Sequence, residues 1–341
     1  MGNSLTLSKY IEEILSLTNE YTDMRALNAL QYRGHSDITH LILPSVARKI
    51  DMSSDKTFLD YEGELVGIAK NRYPEAFRDE MSPLNLLARL QHYGIPTRLL
   101  DVTENPLVAL YFACAENSDK DGEVIAFINN EASEISYSLD NAIADSYRFA
   151  YNIIGSFIYL DIFLARVSSQ PYFYDQKTAI YLQGGYPIEK FFEIRGNTPR
   201  FVSALQLSAR QRVQQGKYIL FPNEFSYIIQ KPDMRNHSFI RRSADIPEEL
   251  KDYAKGVFIS KINEIPKTSD HIASIIKVPR ESKKELLQQL ATIGITKSTL
   301  FPDNIDIGCG EIADSVRAWN RDKPHEQDTS IITKVDIADE T

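Results

Sequence analysis

A chain of 341 residues, 43% of them hydrophobic, can bury the core of one large domain or of two ordinary ones. A net charge of -9 and a pI near 5.3 make the molecule as a whole repel nucleic acid, so DNA or RNA binding would need a local basic patch. Only two cysteines, Cys114 and Cys309, lie far apart along the chain, which excludes a disulfide framework and suits a reducing cytoplasm.

The start, Met1-Gly2-Asn3-Ser4-Leu5-Thr6, fits the loose myristoylation pattern and does not read as a signal peptide. Residues 7–20 space Leu7, Ile11, Ile14 and Leu15 as an amphipathic helix. Ala26–Tyr32 reads as a strand running out into Tyr32-Arg33-Gly34-His35. The glycine there admits a close backbone approach or positive φ, and Arg33 would project from the strand end. Taken alone, the tripeptide fits a surface arginine capping a hairpin better. Leu41–Leu43 is a second short apolar run stopped by Pro44, and residues 58–80 look helical, with Glu62 and Glu64 read as a solvated face.

Residues 84–115 organise the rest. Leu84, Leu87, Ala88 and Leu90 predict a helix stopped by Gly94 and Pro96. Thr97–Val102 then predicts a buried strand that nevertheless carries Arg98 and Asp101. Thr103 or Asn105 can cap the next helix, with Pro106 in its first turn and Leu107, Val108, Leu110, Tyr111 and Phe112 on a broad apolar face. His92, Tyr93, Thr97, Arg98, Asp101, Thr103 and Asn105 thus fall between two buried helices, where they line a pocket better than they fill a core.

Gly122–Ile128 predicts a strand after the Asp121-Gly122 turn. Residues 131–200 read as a helical insertion: Ser146–Val167 is aromatic and mostly helical in pattern, and Gly184, Gly185 and Pro187 mark a loop. No apolar run reaches the roughly 20 residues of a membrane span, and the longest, Phe157–Val167, is broken by Asp161. Arg200, Arg210 and Arg212 with Gln211, Gln214 and Gln215 precede Gly216 and a strand over Lys217–Phe221. That set suits either a phosphate-binding loop or an exposed loop paired with acidic surface. Ile275–Val278 predicts a strand, Glu281–Ile293 a helix closed by Gly294, and Glu311–Trp319 a last short helix before a polar tail over 316–341.

Neither G-x-G-x-x-G nor G-x-x-x-x-G-K-[ST] occurs, which speaks against Rossmann and P-loop nucleotide sites. The histidines have no zinc-binding context, so no metal is expected, and no G-x-S-x-G elbow is present.

Tyr32-Arg33-Gly34, then Leu90-Gln91-His92-Tyr93-Gly94-Ile95-Pro96-Thr97-Arg98-Leu99-Leu100-Asp101 and Pro106-Leu107-Val108-Ala109-Leu110-Tyr111-Phe112-Ala113, resemble the FRG domain family, named for its [F/Y]-R-G tripeptide. Gln214-Gln215-Gly216, Gly294-Ile295 and Leu300-Phe301-Pro302 extend the resemblance to about 25–315, after an N-terminal helix over 1–24. The resemblance implies a protein of bacterial or phage type, often associated with defence. The order of parts is also similar to that of ADP-ribosyltransferases. It implies an α+β fold: a single large domain with a split, ADP-ribosyltransferase-like β-sheet flanked by helices.

On that likeness the ligand is NAD, turned over by an ADP-ribosyltransferase or NAD glycohydrolase of toxin or antiviral type. The alternative is a module that binds a nucleotide or phage component without chemistry. Catalytic positions would be Arg33, Tyr93, Asp101 and Gln215; cofactor contacts would be Arg33, Gly34, His92, Thr97, Arg98, Asn105 and Arg210. Arg33 would clamp the pyrophosphate, and Arg98 with Asp101 would form a buried pair. Gln215 stands where many transferases carry a glutamate; it lacks that charge, so Asp101, Glu104, Glu62 or Glu64 must supply it. Arg33, Tyr93 and Gln215 must then converge on one cleft. The acceptor of ADP-ribose is a macromolecule or water, nucleic acid is disfavoured as a partner, no membrane is expected, and the compartment is the cytoplasm.

Overall fold

The computed structural model describes residues 4–21, 30–51, 53, 55–78, 81–128, 137–146, 157–170, 188–193, 197–206, 208–230 and 239–302. The expectations for Cys309, Glu311–Trp319, the tail, the loop at 184–187 and the start of the first strand lie outside the described residues.

In chain order the elements are α1 (Leu7–Glu20), β1 (Leu30–His35), α2 (Glu62–Arg72), α3 (Pro83–His92), β2 (Leu99–Thr103), α4 (Pro106–Cys114), β3 (Gly122–Ile128) and α5 (Tyr137–Ala144). There follow β4 (Phe157–Tyr159), α6 (Leu160–Ser168), β5 (Arg200–Val202), α7 (Ala209–Val213), β6 (Gly216–Leu220), β7 (Glu224–Ile229) and β8 (Phe239–Ile240). The last are β9 (Ala254–Ile259), β10 (Ile272–Val278), α8 (Arg280–Thr292) and α9 (Lys297–Leu300). The fold is α+β, built on two antiparallel sheets ordered β10-β3-β1-β2-β6-β5 and β4-β9-β7-β8.

Local chemistry sets the helices around the centre. Ser82 caps α3, accepting from the Asn85 amide at 3.4 Å, and Pro83 occupies the first turn. Gly94, at φ 84°, ends it: its amide donates to Gln91 O, and that of Ile95 to Leu90 O. Asn105 caps α4 as the sequence suggests, accepting from the Leu107 amide at 3.0 Å.

Alternation along β1 decides what packs where. Tyr32 and Gly34 face α4, in an apolar cluster with Ala109, Val124 and Leu286 of α8. Arg33 points to the other face. A second cluster, including Leu100, Val102, Ile125, Phe127 and Ile219, fills that side of the larger sheet. A third packs α3 and α5 between the two sheets.

The central strands of the larger sheet barely meet. β1 pairs with β3 along its whole length from Leu30 to His35, and β2 pairs with β6 from Leu99 to Thr103. Between β1 and β2 the register holds only Tyr32 opposite Thr103. Beyond that pair the strands diverge and leave an opening at the middle of the sheet.

Several expectations change. Phe157–Tyr159, inside the stretch read as helical, is a strand that joins the second sheet. Glu62, taken for a solvated residue, is 3% exposed and holds Arg98. Arg98 and Asp101 do not pair: Arg98, just ahead of β2, is taken by Glu62, while Asp101 within the strand lines the cleft. Among the described residues no helix is long and apolar enough to cross a membrane.

Candidate nucleotide-binding cleft

The opening between β1 and β2 is a cleft of about 480 Å³, floored by these strands and by α4, and closed by α3, α7 and α9. Its size suits a nucleotide, within the roughly 300–1,000 Å³ of small-molecule sites. Its walls carry Arg33, Arg48, Arg210 and Lys297 against the carboxylates of Asp101 and Glu116. The cleft thus reverses the sign of the acidic molecule around it.

Arg33 spans the gap. Its Nε donates to His35 Nε2 at 3.0 Å and its Nη1 to the Asp101 carbonyl at 2.6 Å, so the side chain bridges β1 to β2 where the backbone does not. A guanidinium has further donors, and these face the cleft with no partner among the described residues. His35 is itself held from behind: Nδ1 lies 3.0 Å from Glu123 Oε1, which also meets Lys267 Nζ at 2.6 Å. Because Nε2 accepts from Arg33, Nδ1 carries the proton, and the ring is neutral.

Burial pushes the His35 imidazole below its ordinary value, reinforced by the Arg33 and His40 charges and opposed by Glu123. The sign follows: the folded value is depressed, so the neutral ring's contribution to stability is complete above pH 6.5 and is lost as pH falls below it. Protonation at Nε2 also takes away the acceptor that aims Arg33. In an NMR titration His35 is expected to titrate below 6.5, and anion affinity in the cleft to fall along the same curve. A His35 midpoint above 6.5 would overturn this account.

Two fixed amides line the opposite wall. Thr97, 1% exposed, uses its hydroxyl to accept from the Leu99 amide at 3.2 Å and to donate to Gln91 Oε1. That sets the Gln91 amide so that Nε2 donates to Asp101 Oδ2 at 2.8 Å. Gln211 is set by its capping box: Oε1 accepts from the Ser208 amide at 3.1 Å, leaving Nε2 to donate to the Tyr218 hydroxyl at 2.7 Å. Asp101 and Tyr218 stand directly opposite across β2 and β6, so both side chains enter the cleft from one face. Farther along, the Arg210 guanidinium lies 4.5 Å over the Phe301 ring, and Phe301 meets Phe112 edge to face at 6.2 Å.

The rim on the α4 side is fixed by a buried lysine. Lys283 Nζ donates to the carbonyls of Ser36 at 2.7 Å, Glu116 at 3.1 Å and Asn117 at 2.9 Å, placing a cation where α4 ends.

Of the residues singled out from the sequence, Arg33, Gly34, His92, Asp101 and Arg210 line the cleft. Tyr93 does not: it is exposed, edge-on to Phe77 at 5.8 Å and under the Arg89 guanidinium. Gln215 does not: it turns the chain at φ 47°, its carbonyl takes the Glu104 amide at 3.2 Å, and its side chain is exposed. Its neighbour Gln214 lines the cleft instead. Arg98 is fully buried behind β2, Thr97 sits one layer back, and Asn105 is used as a helix cap. The convergence of Arg33, Tyr93 and Gln215 is therefore not found, while Arg33 and the glutamine-rich loop do meet. Arg200 pairs with Asp140, and Arg212 donates to Gln206 O at 3.2 Å, so Arg210 alone of that set lines the cleft.

Sequence reasoning did not select Tyr218, Gln91, Arg48, Lys297 or Phe301. Tyr218 had a usable signal, since one residue in two along β6 must share a face with Asp101 once β2 and β6 are paired.

No curated protein and no solved structure matches the chain. One family model does, over the segment from just before β1 to the start of β3, which holds Arg33, Gln91, His92 and Asp101 but neither Arg210 nor Tyr218. Residues 28–122 of this chain match the model of the FRG domain.

Proposed function

We propose that the cleft binds NAD or a closely similar dinucleotide through its pyrophosphate and breaks the bond between nicotinamide and ribose, passing ADP-ribose to water or to a macromolecule. The observation that carries the reading is the aim of Arg33: two donors fix it to His35 and the Asp101 carbonyl, and the rest face a recess that Arg48, Arg210 and Lys297 also border. Planar, oriented guanidinium donors match phosphate oxygens.

Cleavage of the glycosidic bond releases nicotinamide with the bonding electron pair and leaves positive charge on the ribose, which a carboxylate stabilises. Of the two carboxylates that line the cleft, Asp101 and Glu116, we assign this role to Asp101, whose carbonyl holds Arg33. Glu62 is spent on Arg98, Glu104 lies 3.7 Å from Lys217, and Glu64 faces solvent. A bacterial or phage toxin or antiviral effector would use such an activity. A second reading, binding without turnover, is favoured by one feature: an oxygen of Asp101 is already engaged by Gln91.

The test is nicotinamide release from NAD by the wild type, Asp101→Asn and Arg33→Ala, with binding measured in parallel. Asp101→Asn is expected to bind NAD within about tenfold of wild type and to lose about 10²–10³ in rate. Arg33→Ala is expected to weaken binding by roughly 10–100-fold, the worth of charge-assisted hydrogen bonds. NAD bound and left intact by the wild type would establish the second reading, and absence of binding would remove both.

A further inference from the structure

We propose that Tyr218 is a specificity residue of this cleft, donating its phenolic proton to a sugar hydroxyl of the bound nucleotide while Asp101 accepts from the same hydroxyl. The inference rests on the nucleotide reading of the cleft and adds which part of the ligand this wall reads.

Tyr218 is 5% exposed, yet its side chain lines the cleft. The capping box of α7 directs Gln211 Oε1 to the Ser208 amide, so Gln211 presents Nε2 to the phenol, and the phenol oxygen is the acceptor. Its own proton then has no acceptor among the described residues. Burial and the nearby Asp101 charge push the phenol up to about 12, so it keeps that proton throughout the physiological range.

Asp101 has the complementary vacancy. Thr97 fixes the Gln91 amide, Gln91 takes Oδ2, and Oδ1 has no partner among the described residues. An acceptor oxygen and a donor hydroxyl, placed opposite each other across β2 and β6, thus face one recess. A hydroxyl is the group that donates and accepts at once. A phosphate oxygen would be repelled by Asp101, and a C–H group would leave the buried phenol unsatisfied. Arg33, bonded to the Asp101 carbonyl at 2.6 Å, and Arg210, next to Gln211 in the chain, border the same recess, so a ligand whose hydroxyl meets Tyr218 and Asp101 keeps its phosphate within reach of both guanidinium groups.

The probe is carbocyclic NAD, which retains the sugar hydroxyls and cannot be cleaved, compared with its 2′-deoxy and 3′-deoxy forms in the nicotinamide sugar. Wild type is expected to bind one deoxy form about tenfold more weakly than the parent, since a site built around a hydroxyl penalises the analogue that lacks it. Tyr218→Phe, with its melting temperature checked against wild type, is expected to shrink that preference to about a third of its wild-type value, the remainder being the bond that Asp101 still accepts. Equal wild-type affinity for the parent and both deoxy forms would overturn the role of Tyr218 and leave the nucleotide reading standing. So would a preference undiminished in Tyr218→Phe. No binding of the parent would overturn both.

Discussion

Glu62→Ala is expected to destabilise the protein by about 3–5 kcal/mol, read as a lower urea midpoint, because it strands a buried guanidinium. Arg98 is fully buried. Its Nε donates to Glu62 Oε1 at 2.9 Å, its Nη2 to the second carboxylate oxygen, and its Nη1 to Asn223 Oδ1 at 2.8 Å. Asn223 in turn donates to Ile259 O at 2.8 Å. The pair therefore fastens α2 to the approach to β2, to the short link from β6 into β7, and to the end of β9. Replacing both ions, as in Glu62→Leu with Arg98→Met, is expected to recover much of the loss, since no unpaired charge remains. A Glu62→Ala protein within 1 kcal/mol of wild type, in the sense of a surface ion pair's worth, would show that Arg98 finds another partner.

Gly34→Ala carries the second large effect. A Cβ there would lie 1.9 Å from the Ala109 carbonyl oxygen and 2.6 Å from the Ala113 nitrogen, both backbone atoms of α4 that no rotamer change can move. The loss is expected at or above the roughly 1–3 kcal/mol usual for overpacking, with α4 displaced from β1. Urea unfolding checks the size, and wild-type stability would contradict the close seat of α4. The glycine of the tripeptide thus serves the approach of helix to strand, and the arginine beside it, on the opposite side of β1, serves the cleft.

What the sequence made legible was local. Gly94, Asn105, Pro106 and Gly294 punctuate helices by backbone chemistry that needs no tertiary partner, and these elements stand within a residue or two of their expected bounds. Gly122–Ile128 is the predicted strand residue for residue. Partnership was not legible. Glu62 and Arg98 lie 36 residues apart, and nothing near either one names the other. Asp101 and Tyr218 become neighbours only through strand register. Gln215 drew attention by type and position, but the left-handed turn it makes sends its side chain outward and its neighbour's inward.

The solitary meeting of Tyr32 with Thr103 leaves the larger sheet as two ribbons sutured by one stitch and an arginine tie. A dinucleotide gripped by Arg33 on one ribbon, and by Tyr218 and Arg210 on the other's flank, would act as a splint across that suture. Occupancy would then register as mechanical stiffening of the whole scaffold, with melting temperature climbing as ligand is added.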